Sequence, residues 1–217
     1  WGNGSRKVLL VHGWESHAGD FYNFVHHLTA TDFSVFAMDA PAHGWSGGST
    51  TNIIEYKEFL KEMFLLHGNF DYIITHSLGG MAVGFLLQEM PHVAPNKLVF
   101  ISPPSTLTDV IRDYSNLLWI PKKNQEYLRQ QIMQLSGRAL DEFDMAYLSR
   151  FLDPKKVMIV HDVKDRVVPI KYAESIHNAI PDALFLVTEN FGHNKTMRDP
   201  LVINKVLEFI RREGNQF

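Results

Sequence analysis

The segment Tyr72-Ile73-Ile74-Thr75-His76-Ser77-Leu78-Gly79-Gly80 sets a serine at a polar turn between an apolar run and a helix-like stretch that opens with small residues. A serine at such a turn is held on strained backbone above the carboxyl end of a strand, with a helix dipole aimed at it. The glycines beyond it let that helix approach the strand closely. The pattern is Thr75-x-Ser77-x-Gly79, with threonine where such elbows usually carry glycine. Alone, these residues also suit a plain N-cap, with Ser77 doing no more than starting the helix.

A nucleophilic serine needs a base, an orienting carboxylate and donors for an oxyanion, and the chain offers each. His193 follows Phe191-Gly192 after the last strand-like run. Asp162 and Asp165 both follow the run Val157–His161, and either could hold an imidazole. The run Val8-Leu9-Leu10-Val11 ends in His12-Gly13-Trp14. The backbone N–H of Trp14, paired with that of Leu78, would make a two-donor oxyanion hole.

Positioning these groups requires an alternating framework. Short apolar runs recur at Lys7–His12, Phe33–Met38, Tyr72–Thr75, Lys97–Ile101, Val157–His161 and Ala183–Val187. Each is continuous enough for a strand buried on both faces. Amphipathic stretches lie between them at Asp20–Leu28, Asn52–Leu66, Gly79–Glu89, Ile170–Ala179 and Leu201–Arg212. This alternation predicts an α/β domain, a mostly parallel doubly wound sheet with helices on both faces. It breaks between Ser105 and Asp153, where only helical patterns occur: Val110–Trp119, Gln125–Leu135 and Leu140–Leu152. The expected organisation is a core of residues 1–104 and 154–217 with a helical cap inserted at 105–153. The alternative is a pair of helices packed on the sheet's flank.

Composition narrows the function further. The 217 residues carry 21 Lys and Arg against 24 Asp and Glu, with no basic run, which argues against a nucleic-acid partner. With no cysteine, a thiol nucleophile, a Cys-based zinc site and a disulfide framework are excluded. That lack fits a reducing compartment, and the cytoplasm is the expected location. No apolar stretch approaches the ~20 residues that span a bilayer, and no membrane partner is expected. Eleven histidines are present, but none falls in a metal-binding motif, so neither a metal nor a cofactor is expected. Trp45, His76, Trp119 and Phe191, together with Tyr114, are the candidates for contacting substrate.

These pieces resemble the α/β-hydrolase fold superfamily, in its serine hydrolase or esterase-like members. The resemblance rests on His12-Gly13-Trp14, Asp39-Ala40-Pro41-Ala42-His43-Gly44-Trp45-Ser46, the elbow at Ser77, Asp165-x-x-Val168-Pro169 and Gly192-His193. They occur in that family's order of nucleophile, acid and histidine. The resemblance implies Ser77 as nucleophile, His193 as general base and Asp165 as acid, with Asp162 the alternative. It also implies Trp14 and Leu78 as oxyanion donors and the insertion as a specificity-setting lid. A carboxylic ester is the first expected substrate, ahead of a thioester, a lactone or a carbon–carbon bond. A serine at the elbow disfavours haloalkane dehalogenase and epoxide hydrolase chemistry, which use aspartate there. The competing reading is a small-ligand-binding protein on the same fold with little or no turnover. Because the superfamily core has more strands than the runs found here, a hairpin is expected to precede Trp1 in a longer chain. Phe33, Val35 and Phe36 would then lie on an uncovered sheet edge.

Overall fold

Each of the six apolar runs forms a strand, and the stretches between them form helices, in a computed structural model that describes residues 1–150 and 152–212. Phe151 of the predicted cap and residues 213–217 of the predicted core lie outside the described residues. The strands are β1 (Arg6–Val11), β2 (Phe33–Ala37), β3 (Tyr72–His76), β4 (Lys97–Ile101), β5 (Val157–Asp162) and β6 (Leu184–Thr188). The helices are α1 (Tyr22–Thr29), α2 (Ile53–His67), α3 (Leu78–Glu89), α4 (Leu107–Leu117), α5 (Lys122–Ser136), α6 (Lys171–Ala179), α7 (Gly192–Thr196) and α8 (Pro200–Arg211).

The strands pair in the order β2-β1-β3-β4-β5-β6, all parallel. Alternate residues feed two cores. Leu9, Ile73, Phe100 and Ile159 pack toward α2, α3 and α6, whereas Leu10, Ile74, Val99 and Val160 pack toward α1 and α8. Burial on both faces explains why each strand reads as an unbroken apolar run rather than an alternating one. Helix α3 is buried along Leu78–Leu87, which explains its lack of a polar stripe. No described helix is long and apolar enough to cross a membrane.

Winding reverses between β1 and β3: the chain passes outward to β2, then returns to lay down β3 on the other side of β1. In open α/β sheets the crevice at the carboxyl ends of such neighbours is where ligands bind. The turns holding Trp14 and Ser77 emerge there.

The insertion follows β4 and its helices α4 and α5 roof a cavity, forming a cap. The pattern over Leu140–Leu152 is not one helix but two 3₁₀ turns, Leu140–Glu142 and Met145–Arg150. Backbone pairing breaks it: Leu107 N–H donates to Phe143 O and Met145 N–H to Ser105 O, around a bridge between Thr106 and Asp144. Bonds that would continue a helix are drawn across to the start of the cap.

β2 is an edge strand of the sheet as expected, but Phe33 and Val35 are buried and Phe36 is half-buried, so their expected exposure is corrected. Their side chains point to the faces of β2 rather than its rim, and Phe33 and Val35 join the α1 core. Along the rim, the Trp1 amino group donates to Val35 O (2.8 Å) and the Val35 N–H donates to Trp1 O (2.7 Å).

Candidate active site

Three close approaches build the site from the sheet upward. Ser77 directly follows β3 with φ +51° and ψ −127°, a conformation L-residues adopt at a cost of about 1–3 kcal/mol. It is 3% exposed, and its N–H donates to Ile101 O (2.9 Å) on the neighbouring strand. Glycine is required on both sides of this turn. A Cβ on Gly13 would stand 2.8 Å from the Ser77 Cβ, and one on Gly79 would stand 2.3 Å from the His12 carbonyl oxygen. Thr75, where elbows usually carry glycine, is accommodated because its hydroxyl donates to Val99 O (3.0 Å).

The structure brings Ser77, His193 and Asp165 together. The Ser77 Oγ lies 3.0 Å from His193 Nε2, and His193 Nδ1 lies 2.7 Å from Asp165 Oδ2. The other Asp165 oxygen accepts the N–H groups of Val167 (2.9 Å) and Val168 (2.8 Å). Burial opposes charge on Asp165, but the bond and proximity of His193 and the Val168 N–H outweigh it and hold the carboxyl below its ordinary pKa. His193 lies in the short helix α7 that follows β6, at the same edge of the sheet.

Asp162 does not touch the imidazole. Its carboxylate accepts the Lys164 N–H (3.0 Å), the Thr188 hydroxyl (2.9 Å) and the Phe191 N–H (3.0 Å). It ties β5 to the segment that delivers His193. These bonds, with one from the Gly192 N–H, outweigh burial and keep its pKa low.

Leu78 begins α3, so its N–H belongs to the first turn, which a helix leaves without intrahelical partners. Trp14 follows the end of β1 and its ring meets that of His43 edge-on, 5.1 Å between centroids. Behind them, His12 donates from Nδ1 to Gly13 O (2.7 Å) and accepts the Ala40 N–H at Nε2 (2.9 Å), which fixes its tautomer.

Trp14 and Leu78 also wall a cavity of about 310 Å³ beneath the cap. Its lining is largely aliphatic, with Ile53, Val110, Ile111 and Leu128 among its residues. Tyr114 lines it as well. Trp45 and Trp119 are not in that wall: they are 100% and 90% exposed. Phe191 packs on the α1–α8 side of the sheet, and His76 is buried below the elbow. The aliphatic set on α4 lines the cavity where aromatic residues are expected from the sequence. Leu107, Val110, Ile111 and Tyr114 stand at helical spacing opposite Asp109, Arg112 and Asp113, a signal the spacing did contain. Among the described residues, no three His, Asp or Glu side chains stand together so as to hold a metal ion.

His12, His76 and His161 are buried and their pKa values are lowered by burial, with that of His76 pushed down to about 3. Unfolding frees each to bind a proton near the ordinary value, so the unfolded chain binds more protons below about pH 6.5. Stability is therefore expected to fall as pH drops below 6.5, for His76 by about 1.4 kcal/mol per pH unit down toward pH 3. Urea unfolding at pH 7, 6 and 5 should show His76→Gln losing about one proton's worth of that slope. Equal slopes would contradict a neutral buried His76.

The profile of the family described as serine aminopeptidase, S33, matches residues 3–150, which include the elbow but stop short of Asp165 and His193. A monoacylglycerol lipase of Mycolicibacterium smegmatis is 31% identical over 81 residues, covering 34% of this chain and 29% of that lipase. The structure of a Paleococcus ferrophilus monoacylglycerol lipase superposes with a TM-score of 0.70 at 19% identity, covering 97% of this chain and 96% of that one. Est1E of Butyrivibrio proteoclasticus, solved with ferulic acid, gives a TM-score of 0.71 at 17% identity, covering 96% and 91%. The fold is that of the α/β hydrolases, and the chain belongs to the serine aminopeptidase S33 family.

Proposed function

We propose that the protein is a serine hydrolase that cleaves carboxylic esters of apolar acyl groups through an acyl-enzyme. The observation that carries this reading is the unbroken relay from Ser77 Oγ to His193 Nε2 (3.0 Å) and from His193 Nδ1 to Asp165 (2.7 Å). In this reading Ser77 Oγ attacks the ester carbonyl while His193 Nε2 takes its proton. The N–H groups of Trp14 and Leu78 hold the oxyanion, and Asp165 stabilises the imidazolium. His193 then gives the proton to the departing alcohol. Water attacks the acyl-enzyme with His193 as base, releasing the acid and restoring Ser77.

The aliphatic cavity beside Leu78 supports an apolar acyl group, with the cap at 105–153 acting as the specificity element on the core. Two of the similar proteins are named monoacylglycerol lipases, which agrees with an ester substrate. Intact-mass analysis after fluorophosphonate treatment tests the reading. One adduct is expected on the parent protein and none on Ser77→Ala. Folded parent protein that stays unmodified would rule out an activated serine and leave a ligand-binding role for the same cavity.

A further inference from the structure

Two buried histidines outside the relay repeat one geometry. His76 closes β3, and its Nε2 lies 3.2 Å from the main-chain oxygen of His193. Its ring centroid is 4.8 Å from that of His193. His161 lies on β5, and its Nε2 is 2.8 Å from the main-chain oxygen of Val168. Val168 also donates its N–H to Asp165 Oδ1, and His161 Nε2 is 3.6 Å from Asp165 Oδ2. A carbonyl only accepts, so the proton of each neutral ring is on Nε2. In both residues Nδ1 is buried and has no hydrogen-bond partner among the described residues. Leaving a polar atom bare in the interior is unfavourable, so a ring kept in this state must gain from its other nitrogen.

We infer that His76 and His161 are positioning residues, each fixing through Nε2–H a main-chain carbonyl of the segment that carries one member of the relay. The inference deepens the ester-hydrolase reading and rests on it. His76 sets the height of His193 over Ser77, and also fills the space against Gly13, where a Cβ would stand 3.2 Å from its Nδ1. His161 holds the turn whose N–H groups grip Asp165. Displacement of a reacting group by about 1 Å can cost ~100-fold in rate. The loss of either donor is therefore expected to act on the chemical step more than on substrate binding.

The test replaces each histidine with leucine, which removes the donor, and with glutamine, whose side-chain amide nitrogen restores it near the Nε2 position. Turnover is measured per fluorophosphonate-titrated site. Leucine at either position should lower kcat about 10–100-fold with KM within about threefold, and glutamine should recover most of the loss. The low-field NMR resonance of the His193 Nδ1 proton should move in the leucine variants and return with glutamine. That signal needs no turnover, so it tests the inference even if the ester reading fails on the unmodified parent. Unchanged kcat per site with an unchanged resonance would overturn the inference. So would glutamine variants no better than leucine, which would reduce both residues to space-filling.

Discussion

Asp165→Asn should lower kcat by about 10⁴-fold with little change in KM. The magnitude follows from how the carboxylate is anchored. One oxygen accepts two backbone N–H groups, from Val167 and Val168, and an asparagine would keep its carbonyl oxygen there. Its NH₂ would then occupy the site of Oδ2 and face His193 Nδ1 with a donor. The imidazole would switch its proton to Nε2, where it meets Ser77 and can no longer take the serine's proton. Asp162→Asn should behave differently, because Asp162 binds Lys164, Thr188 and Phe191 rather than the ring. A loss of about 1–3 kcal/mol of stability is expected there, with kcat within tenfold of the parent. Steady-state kinetics and urea melts on the two variants separate the roles, and a larger kcat loss at Asp162 would exchange them.

Gly79→Ala should leave little folded protein. The added methyl would sit 2.3 Å from His12 O and 2.7 Å from Val11 O, main-chain atoms at and just past the end of β1. Overpacking against side chains typically costs about 1–3 kcal/mol. Here neither partner can swing away, so the cost should exceed that range and approach the whole stability of a domain this size. Gly47→Ala, where a methyl meets nothing within 4 Å, is the control and should melt within about 0.5 kcal/mol of the parent. A Gly79→Ala protein with the parent's melting point would mean that α3 stands farther from β1 than described.

The strands were legible because a strand covered on both faces leaves a run of apolar residues, as Val8–Val11 and Ile73–Ile74 do. Helix ends were legible to within a residue or two where a cap marks them, as Asn52 does by accepting the N–H groups of Ile54 and Glu55. The stretch 140–152 misled because its apolar spacing is compatible with a helix, while the competing bonds come from Ser105 and Leu107, far away in sequence. Ser77, His193 and Asp165 could be named from local patterns, each at the end of a strand. Their distances could not, since they depend on β5 and β3 lying on either side of β4. Nor did His161 stand out: a histidine inside an apolar run gives no sign of which carbonyl it will meet. The cavity wall went unread for a related reason. Aliphatic residues on α4 look the same whether they face a core or an empty space.

The pairing of β4 with β5 has a consequence for how such a chain can diverge. Leu98–Ile101 align with Val157–Val160 in unbroken register, and Ser102 still donates its N–H to Val160 O. The intervening 54 residues, 103–156, leave the sheet at the carboxyl end of β4 and return to it at the amino end of β5. Nearly everything that walls the cavity from above lies in that excursion, whereas Ser77, Asp165 and His193 lie outside it. Insertions, deletions or wholesale replacement within it can therefore retune what the cavity admits, while Ser77, Asp165 and His193 keep their spacing. Selection can treat the two as separate inheritances.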